Sequence, residues 1–95
     1  METGMRGGFA FSVAGHDVGK AYIIVGYHNG CWLLADGVER KLANPKKKNV
    51  KHVEIPKQEI REELAIMIEE RQRGCDEAIR QMLHHLVKDN LRYKV

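Results

Sequence analysis

The residues best able to do chemistry are basic side chains that crowd into the middle of the chain. Three consecutive lysines follow a proline, and another lysine and a histidine come shortly after them. A lysine ammonium group binds phosphate as a point charge but carries no code for reading bases. The cluster therefore predicts contact with a polyanion, although a lysine run is more often a solvated surface or tail. The predicted contacts are Lys20, Arg40, Lys41, Lys46, Lys47, Lys48, Lys51 and His52.

A polar loop with the sequence GHDVGK supplies a second group of candidates, because it lies between two apolar runs. Its glycines, Gly15 and Gly19, can take a positive φ without a Cβ clash, and the Asp between them can close the turn. Without side chains at these glycines, a phosphate backbone could approach closely, with His16 and Lys20 beside it. The alternative is an ordinary hairpin loop, since short Gly/Asp loops are common.

The acidic, histidine and cysteine residues give little support to catalysis or metal binding. The carboxylates of the second half interleave with arginines, as on a solvated helix face, and the histidines lack an HExxH or comparable spacing. His84 and His85 are adjacent, so on a helix they point about 100° apart and do not chelate one ion. Cys31 and Cys75 lack the spacing of a zinc site. Two such cysteines in a cytosolic protein are typically reduced thiols. We therefore expect no enzyme activity, no metal and no cofactor.

Composition and charge describe a single small unit with its charge on one side. The 95 residues are 43% hydrophobic and 31% charged, which is ordinary for one globular domain. Residues 1–54 hold 8 Lys or Arg against 5 Asp or Glu, and residues 55–95 hold 8 against 8, so the net charge of +3 comes from the first half. No apolar run is long enough for a membrane helix and no signal-peptide pattern is present, so we expect a cytoplasmic protein without membrane contact.

The spacing of apolar and turn residues predicts five short strands in the first half of the chain. β-branched and aromatic residues dominate the second strand, and Asn29-Gly30 is the strongest short hairpin signal. Asp36-Gly37 marks a further turn. Short strands joined by tight turns predict a small closed or nearly closed barrel in residues 1–54. The predicted strands cover residues 9–13, 20–27, 31–35, 38–42 and 50–53.

The pattern changes at Pro56, where a helix is predicted to begin because proline suits a first turn and acidic residues follow. Gly74 ends this helix and a second one follows, which makes a helical hairpin over residues 55–95. The predicted fold is thus mostly β with α, and the apolar stripes of the helices would cover each other and one face of the barrel as one domain. The stripes are Ile60, Leu64, Met67 and Ile68, then Ile79, Met82, Leu83, Leu86 and Val87.

Two motifs in residues 8–53 carry a resemblance. The GHDVGK loop with the IIVG strand behind it looks like a KOW motif, a strand–loop–strand unit whose key glycine is matched by Gly19. The continuation ADGxxRKLxNPKKKNxKH is similar to bacterial KOW-domain RNA-binding proteins related to large-subunit ribosomal proteins of the fourteen-e type. The resemblance implies an SH3-like barrel whose loops bind RNA, commonly ribosomal RNA. Val18 stands where such loops often carry lysine, which removes one phosphate contact.

The hypothesis that follows is an RNA-binding, ribosome-associated protein that contacts phosphates through the GHDVGK loop, Gly15–Lys20, and through a basic loop, Lys46–Lys51. Ribosomal proteins are further candidate partners. The chain has no RNP-type aromatic pair for stacking bases, which argues against sequence-specific reading of single strands. Two alternatives stay open. One is an SH3-like protein-interaction module, for which the chain offers few aromatic residues, and the other is a KOW factor of the transcription-elongation kind.

Overall fold

Strands and helices occupy separate halves of the chain. The computed structural model describes residues 5–58 and 60–88. Within them five strands precede two α-helices, so the predicted mostly β fold with a helical pair after it is confirmed. Residues 59 and 89–95 of the predicted hairpin lie outside the described residues. The elements are β1 (Phe9–Ser12), β2 (Ala21–His28), β3 (Cys31–Ala35), β4 (Lys46–Asn49), β5 (Val53–Glu54), α1 (Glu62–Glu69) and α2 (Cys75–Lys88).

The strands form one antiparallel sheet in the order β4-β3-β2-β1-β5. A hairpin is predicted at Asn29-Gly30, and the φ angles of these residues, 48° and 79°, are those of a type I′ turn between β2 and β3. The edge strands β4 and β5 are linked by a short 3-10 turn, Val50–His52. The edges of a flat five-stranded sheet would lie roughly 19 Å apart, but the four steps from Asn49 to Val53 span at most about 14 Å. The sheet must therefore curl toward closure.

Each face of the curled sheet has its own apolar core because side chains alternate along the strands. On one face, which we call the inner face, Tyr22 and Ile24 of β2 pack with Trp32 and Leu34 of β3, and Tyr27 meets the ring of Trp32 edge to face. The opposite face, which we call the outer face, belongs to the alternate residues of the same strands. It packs against the helices through Phe9, Ala21, Ile23, Val25 and Ala35.

The two helices cover the outer face of the sheet. Leu64 and Ile68 of α1, and Ile79 and Leu83 of α2, are buried in one cluster with the outer strand residues. The predicted stripe residues from Leu64 to Val87 therefore pack on each other and on the sheet, whereas Ile60 precedes α1 and lies beside Gly8. Among the described residues, neither helix combines the length and the apolar character that crossing a bilayer requires.

The prediction of a strand over residues 38–42 is wrong. The Asp36 carboxylate accepts hydrogen bonds from the backbone N–H groups of Val38 and Arg40, at 2.8 and 2.9 Å. The N–H of Asp36 also donates to the carbonyl of Arg40. These bonds close the segment into a compact loop, so it has no extended backbone to pair. The lysine run, predicted to be a loop, takes its place as β4 and pairs with β3.

The fifth strand begins later than predicted. Residues 50–52 form the 3-10 turn, in which the Asn49 side chain accepts a hydrogen bond from the N–H of Lys51 and caps the turn. Only Val53–Glu54 is extended and pairs with β1. The predicted range of 50–53 therefore holds a turn followed by the start of the strand.

The first helix also begins later than predicted and ends sooner. Its first helical residue is Glu62, not one near Pro56. The reason is Gln58, whose side-chain amide accepts from the N–H of Phe9 at 2.6 Å and donates to the Phe9 carbonyl at 2.7 Å. This pair of bonds satisfies the start of β1 as a neighbouring strand would and holds residues 55–58 beside the sheet. The helix stops at Glu69, and Arg71 then takes a φ of 51°.

Candidate functional site

The antiparallel topology brings most of the predicted site residues to one end of the sheet. β1 ends, β2 begins, β3 ends and β4 begins at this end, which carries the loops of residues 13–20 and 36–45. We call these two loops the loop end. The 3-10 turn also reaches it, because the N–H of Val13 donates to the carbonyl of His52 at 2.9 Å. Residues far apart in sequence thus meet at this end of the sheet.

Asp17 is the hub of the loop end. The hydroxyl groups of Ser12 and Tyr22 donate to its carboxylate at 2.7 and 2.6 Å. The ammonium groups of Lys48 and Lys46 donate to the same carboxylate at 2.9 and 3.0 Å. These bonds tie the 13–20 loop to β1, β2 and β4 at once, so the loop is held in place by side chains as well as by its backbone.

The surroundings of Asp17 fix its ionisation. Burial would raise the pKa of its carboxyl, but the hydrogen bonds from Tyr22, Lys48, Ser12 and Lys46 outweigh desolvation and hold that pKa far below its usual range. The tyrosine responds in the opposite sense, because burial and its bond to a carboxylate raise the pKa of the Tyr22 phenol. Asp17 is therefore ionised and Tyr22 neutral at physiological pH. One negative charge faces two ammonium groups, which leaves a positive remainder.

The three lysines of β4 differ in position. Lys46 and Lys48 lie opposite Leu34 and Trp32 in register, on the inner face of the sheet. Their side chains are only 29% and 10% exposed, because the stems run along that face before the ammonium groups reach Asp17. Lys47 points to the other face and is exposed. The run is therefore two clamping lysines with a solvent-facing lysine between them.

Lys20 is held in a similar way by the second loop. Its ammonium group lies 2.7 Å from the carboxylate of Asp36 and 3.6 Å from that of Glu39, and it sits over the ring of Tyr22 at 5.3 Å. Burial would raise the pKa of the Asp36 carboxyl, but the Lys20 bond and the N–H groups of Arg40 and Val38 lower it overall. The ion pair joins the 36–45 loop to the start of β2.

Both glycines of the GHDVGK loop have the predicted positive φ, 88° at each. The N–H of Gly19 donates to the carbonyl of Ser12 at 2.8 Å, which closes the base of the loop. At Gly15, a Cβ would lie 3.4 Å from the ammonium nitrogen of Lys48. That distance is an ordinary contact, so the constraint at Gly15 is its positive φ rather than the space around it.

The other predicted basic residues have no acidic partner. In residues 5–58 and 60–88, no ion pair or side-chain hydrogen bond engages their side-chain nitrogens. Most are exposed, and Arg40 is half-buried. We call the lysines and the arginine of this set the free cations: Arg40, Lys41, Lys47 and Lys51. His16 and His52 are exposed imidazoles.

Sequence reasoning missed the carboxylates that organise the site. Asp17 was predicted to close its own turn, and Asp36 was predicted only as a turn residue. The signal was available in the charge count, because the first half has few acids and two of them, Asp17 and Asp36, fall in loops that also carry basic residues. A buried carboxylate needs partners of opposite charge or several hydrogen-bond donors. Ser12 and Tyr22 carried no comparable signal.

In the part of the chain that the structure describes, no three His, Cys, Asp or Glu side chains lie close enough together to hold a metal ion. The two cysteines, Cys31 and Cys75, are unpaired, and burial raises the pKa of the Cys75 thiol.

No protein-family model matches the chain, and the search of curated proteins returns no match to its sequence.

Proposed function

We propose that this protein binds RNA in the cytoplasm, and that the free cations contact the phosphate backbone. One observation carries the proposal. At the loop end the carboxylates of Asp17 and Asp36 are occupied by lysines of the same chain, while the free cations, which lie in the 36–45 loop, in β4 and in the 3-10 turn, have no acidic partner among the described residues. A fixed cationic surface with its own acids neutralised suits a polyanion.

Phosphate contact fits the rest of the surface better than base reading does. Tyr22, Trp32 and Phe9 are buried, so they offer no face on which a base could stack. Lysine-rich contact to phosphates positions a protein on RNA without reading its sequence. Selectivity would then come from the shape of a folded RNA. The resemblance to KOW-domain proteins supports ribosomal RNA as that target, with ribosomal proteins as neighbours.

The test is ultraviolet crosslinking in cells, followed by sequencing of the RNA recovered with the protein. We expect reads concentrated in a few folded regions of ribosomal RNA. The matched control is a chain with Lys47→Gln and Lys51→Gln, which should recover clearly less RNA at equal abundance. Recovery no higher than that of an uncrosslinked sample would contradict RNA binding, and enrichment of nascent transcripts would favour a transcription-elongation factor.

A protein-interaction module is the second candidate, and exposed valines favour it. Val13 and Val18 in one loop, and Val38 in the other, are 42%, 51% and 55% exposed. Apolar side chains at such exposure are typical of contact surfaces when they cluster. Crosslinked protein partners that persist after ribonuclease treatment, together with no recovered RNA, would support this candidate over the first.

A further inference from the structure

An open groove of about 290 Å³ lies between the 36–45 loop and the turn that joins α1 to α2. Leu42 and Ala43 form one wall, and residues 71–77 form the other. The loop is fixed against α2 because the Asp76 carboxylate accepts a hydrogen bond from the N–H of Leu42 at 2.7 Å. The groove is therefore a built feature of the packing between the two halves of the chain.

The groove has two arginines whose charge is unused. Arg71 and Arg73 are exposed, and in the described residues neither guanidinium has an ion pair or a hydrogen bond. Residues 69–73 had the pattern of a solvated helix face, but both arginines lie after the end of α1, in the turn. They therefore belong to the wall of the groove and not to a helix surface.

The acids around these arginines are already engaged. The carboxylate of Glu69 pairs with Arg6 at 3.5 Å, and that of Glu77 pairs with Arg80. The carboxylate of Glu70 accepts a hydrogen bond from the Gln72 side chain, as that of Asp76 does from the backbone. Glu70 and Asp76 keep their negative charge because these donors are neutral, but in the described residues neither carboxylate pairs with Arg71 or Arg73. The two guanidinium groups are therefore open to an anion.

One wall of the groove follows directly in sequence from two of the free cations. Arg40 and Lys41, which are free cations, immediately precede Leu42 in the opposite wall. Close packing of the loop on α2 holds this arrangement, because Gly37 lies against the backbone of Asp76 and Arg80. The backbone that carries Arg40 and Lys41 therefore runs directly into the wall that faces Arg71 and Arg73.

We propose that Arg71 and Arg73 extend the RNA site, and that the phosphate backbone of the same RNA passes through this groove. This inference rests on the proposed function and adds the helical turn to it. Guanidinium groups suit the role because their planar donors can bind phosphate oxygens in pairs. Contacts between guanidinium groups and phosphates do not depend on the RNA sequence, so they extend the RNA interface without adding base specificity.

The experiment is a fluorescence titration of a labelled RNA hairpin at several salt concentrations, using the full chain. We expect Arg71→Gln with Arg73→Gln to flatten the plot of log K against log salt by about 1.5, since each lost phosphate contact removes roughly 0.7–0.9. The matched control is Lys57→Gln with Arg61→Gln, which removes the same charge near Gln58, beside the start of β1. It should keep the original slope.

Two results distinguish a failure of the groove proposal from a failure of the proposed RNA binding. If the natural chain does not bind the hairpin, RNA binding and the groove path are both overturned. If the natural chain binds and the Lys47/Lys51 variant flattens the slope, but the Arg71/Arg73 variant matches the Lys57/Arg61 control, only the groove path is overturned. If the double variant has a lowered melting temperature, Arg73→Gln alone is compared with the same control. The slope of log K against log salt should then flatten by about half as much.

Discussion

At the scale of single residues, Asp17 is the side chain on which the loop end depends most. Replacing it with asparagine removes the charge that holds Lys46 and Lys48 and weakens the bonds from two hydroxyl groups. We expect Asp17→Asn to lower the free energy of unfolding by roughly 2–4 kcal/mol, because two poorly hydrated ammonium groups lose their counter-ion. Urea titration measures this.

The control for that substitution is Glu39→Gln. The side chain of Glu39 is 80% exposed and lies 3.6 Å from the ammonium nitrogen of Lys20, so its loss should cost less than about 0.5 kcal/mol. Equal losses in the two variants would show that the Asp17 network contributes no more than a surface ion pair does.

The pH dependence of stability follows from the same carboxylates. The folded chain holds the pKa values of Asp17 and Asp36 below those of the unfolded chain, which are about 3.9. Their contribution is therefore complete above pH of about 4 and is lost as the pH falls further, because the unfolded chain takes up protons first. Melting temperatures measured from pH 6 to pH 2 should drop steeply at the acid end. Asp17→Asn should show a shallower drop, and an unchanged profile would contradict this origin.

Gly37 is a second residue whose replacement should clearly destabilise the fold. Its φ is 82°, and a Cβ there would overlap the carbonyl oxygen of Asp76. Gly74 has a similar φ of 87° but open space around it. We expect Gly37→Ala to destabilise the protein by roughly 2–4 kcal/mol, from strain and collision, and Gly74→Ala by only about 1 kcal/mol, from strain. Similar losses of melting temperature in the two variants would mean that the contact with α2 is not tight.

At the scale of elements, the outer face of the sheet needs the helices as its cover. Leu83 of α2 has no exposed surface, whereas Ile66 of α1 is 42% exposed. Leu83→Ala should cost roughly 2–5 kcal/mol, through lost burial and a cavity. Ile66→Ala should cost well under that, because its side chain already meets water. Denaturant midpoints that move equally would contradict the packing of α2 on the sheet.

The strands that the sequence predicted well are those whose pattern is local. In β2 and β3, β-branched and aromatic residues flank an Asn-Gly turn, so backbone preference and burial agree. β4 could not be predicted in this way, since Lys46–Asn49 contains no apolar residue. Its pairing depends on Asp17, which is distant in sequence and draws two lysines across the inner face.

The ends of the first helix were missed for a related reason. Proline and acidic residues are sound signals for a helix start, but the two bonds between Gln58 and Phe9 hold the preceding segment against β1. A long-range side-chain bond of this kind leaves no trace in the periodicity of apolar residues. The second helix could be predicted without such long-range contacts, because its apolar stripe is strongly periodic.

At the scale of the whole molecule, the sequence predicted which residues gather but not how they share their charges. Turn signals and strand order suffice to bring the two loops to one end of a sheet. Whether a lysine is free or clamped depends on distances to Asp17 and Asp36, which only the folded chain defines. Lys47 and Lys51 remain free, and Lys46 and Lys48 do not.

The most direct measurement compares RNA binding by two double variants across a range of salt concentrations. Lys47→Gln with Lys51→Gln removes only free cations, so the melting temperature should stay unchanged while the slope of log K against log salt flattens by about 1.4–1.8. Lys46→Gln with Lys48→Gln should instead lower the melting temperature, because Asp17 loses both cationic partners. A Lys47/Lys51 variant that folds normally and binds RNA with the natural slope and affinity would contradict the proposal that the free cations bind RNA.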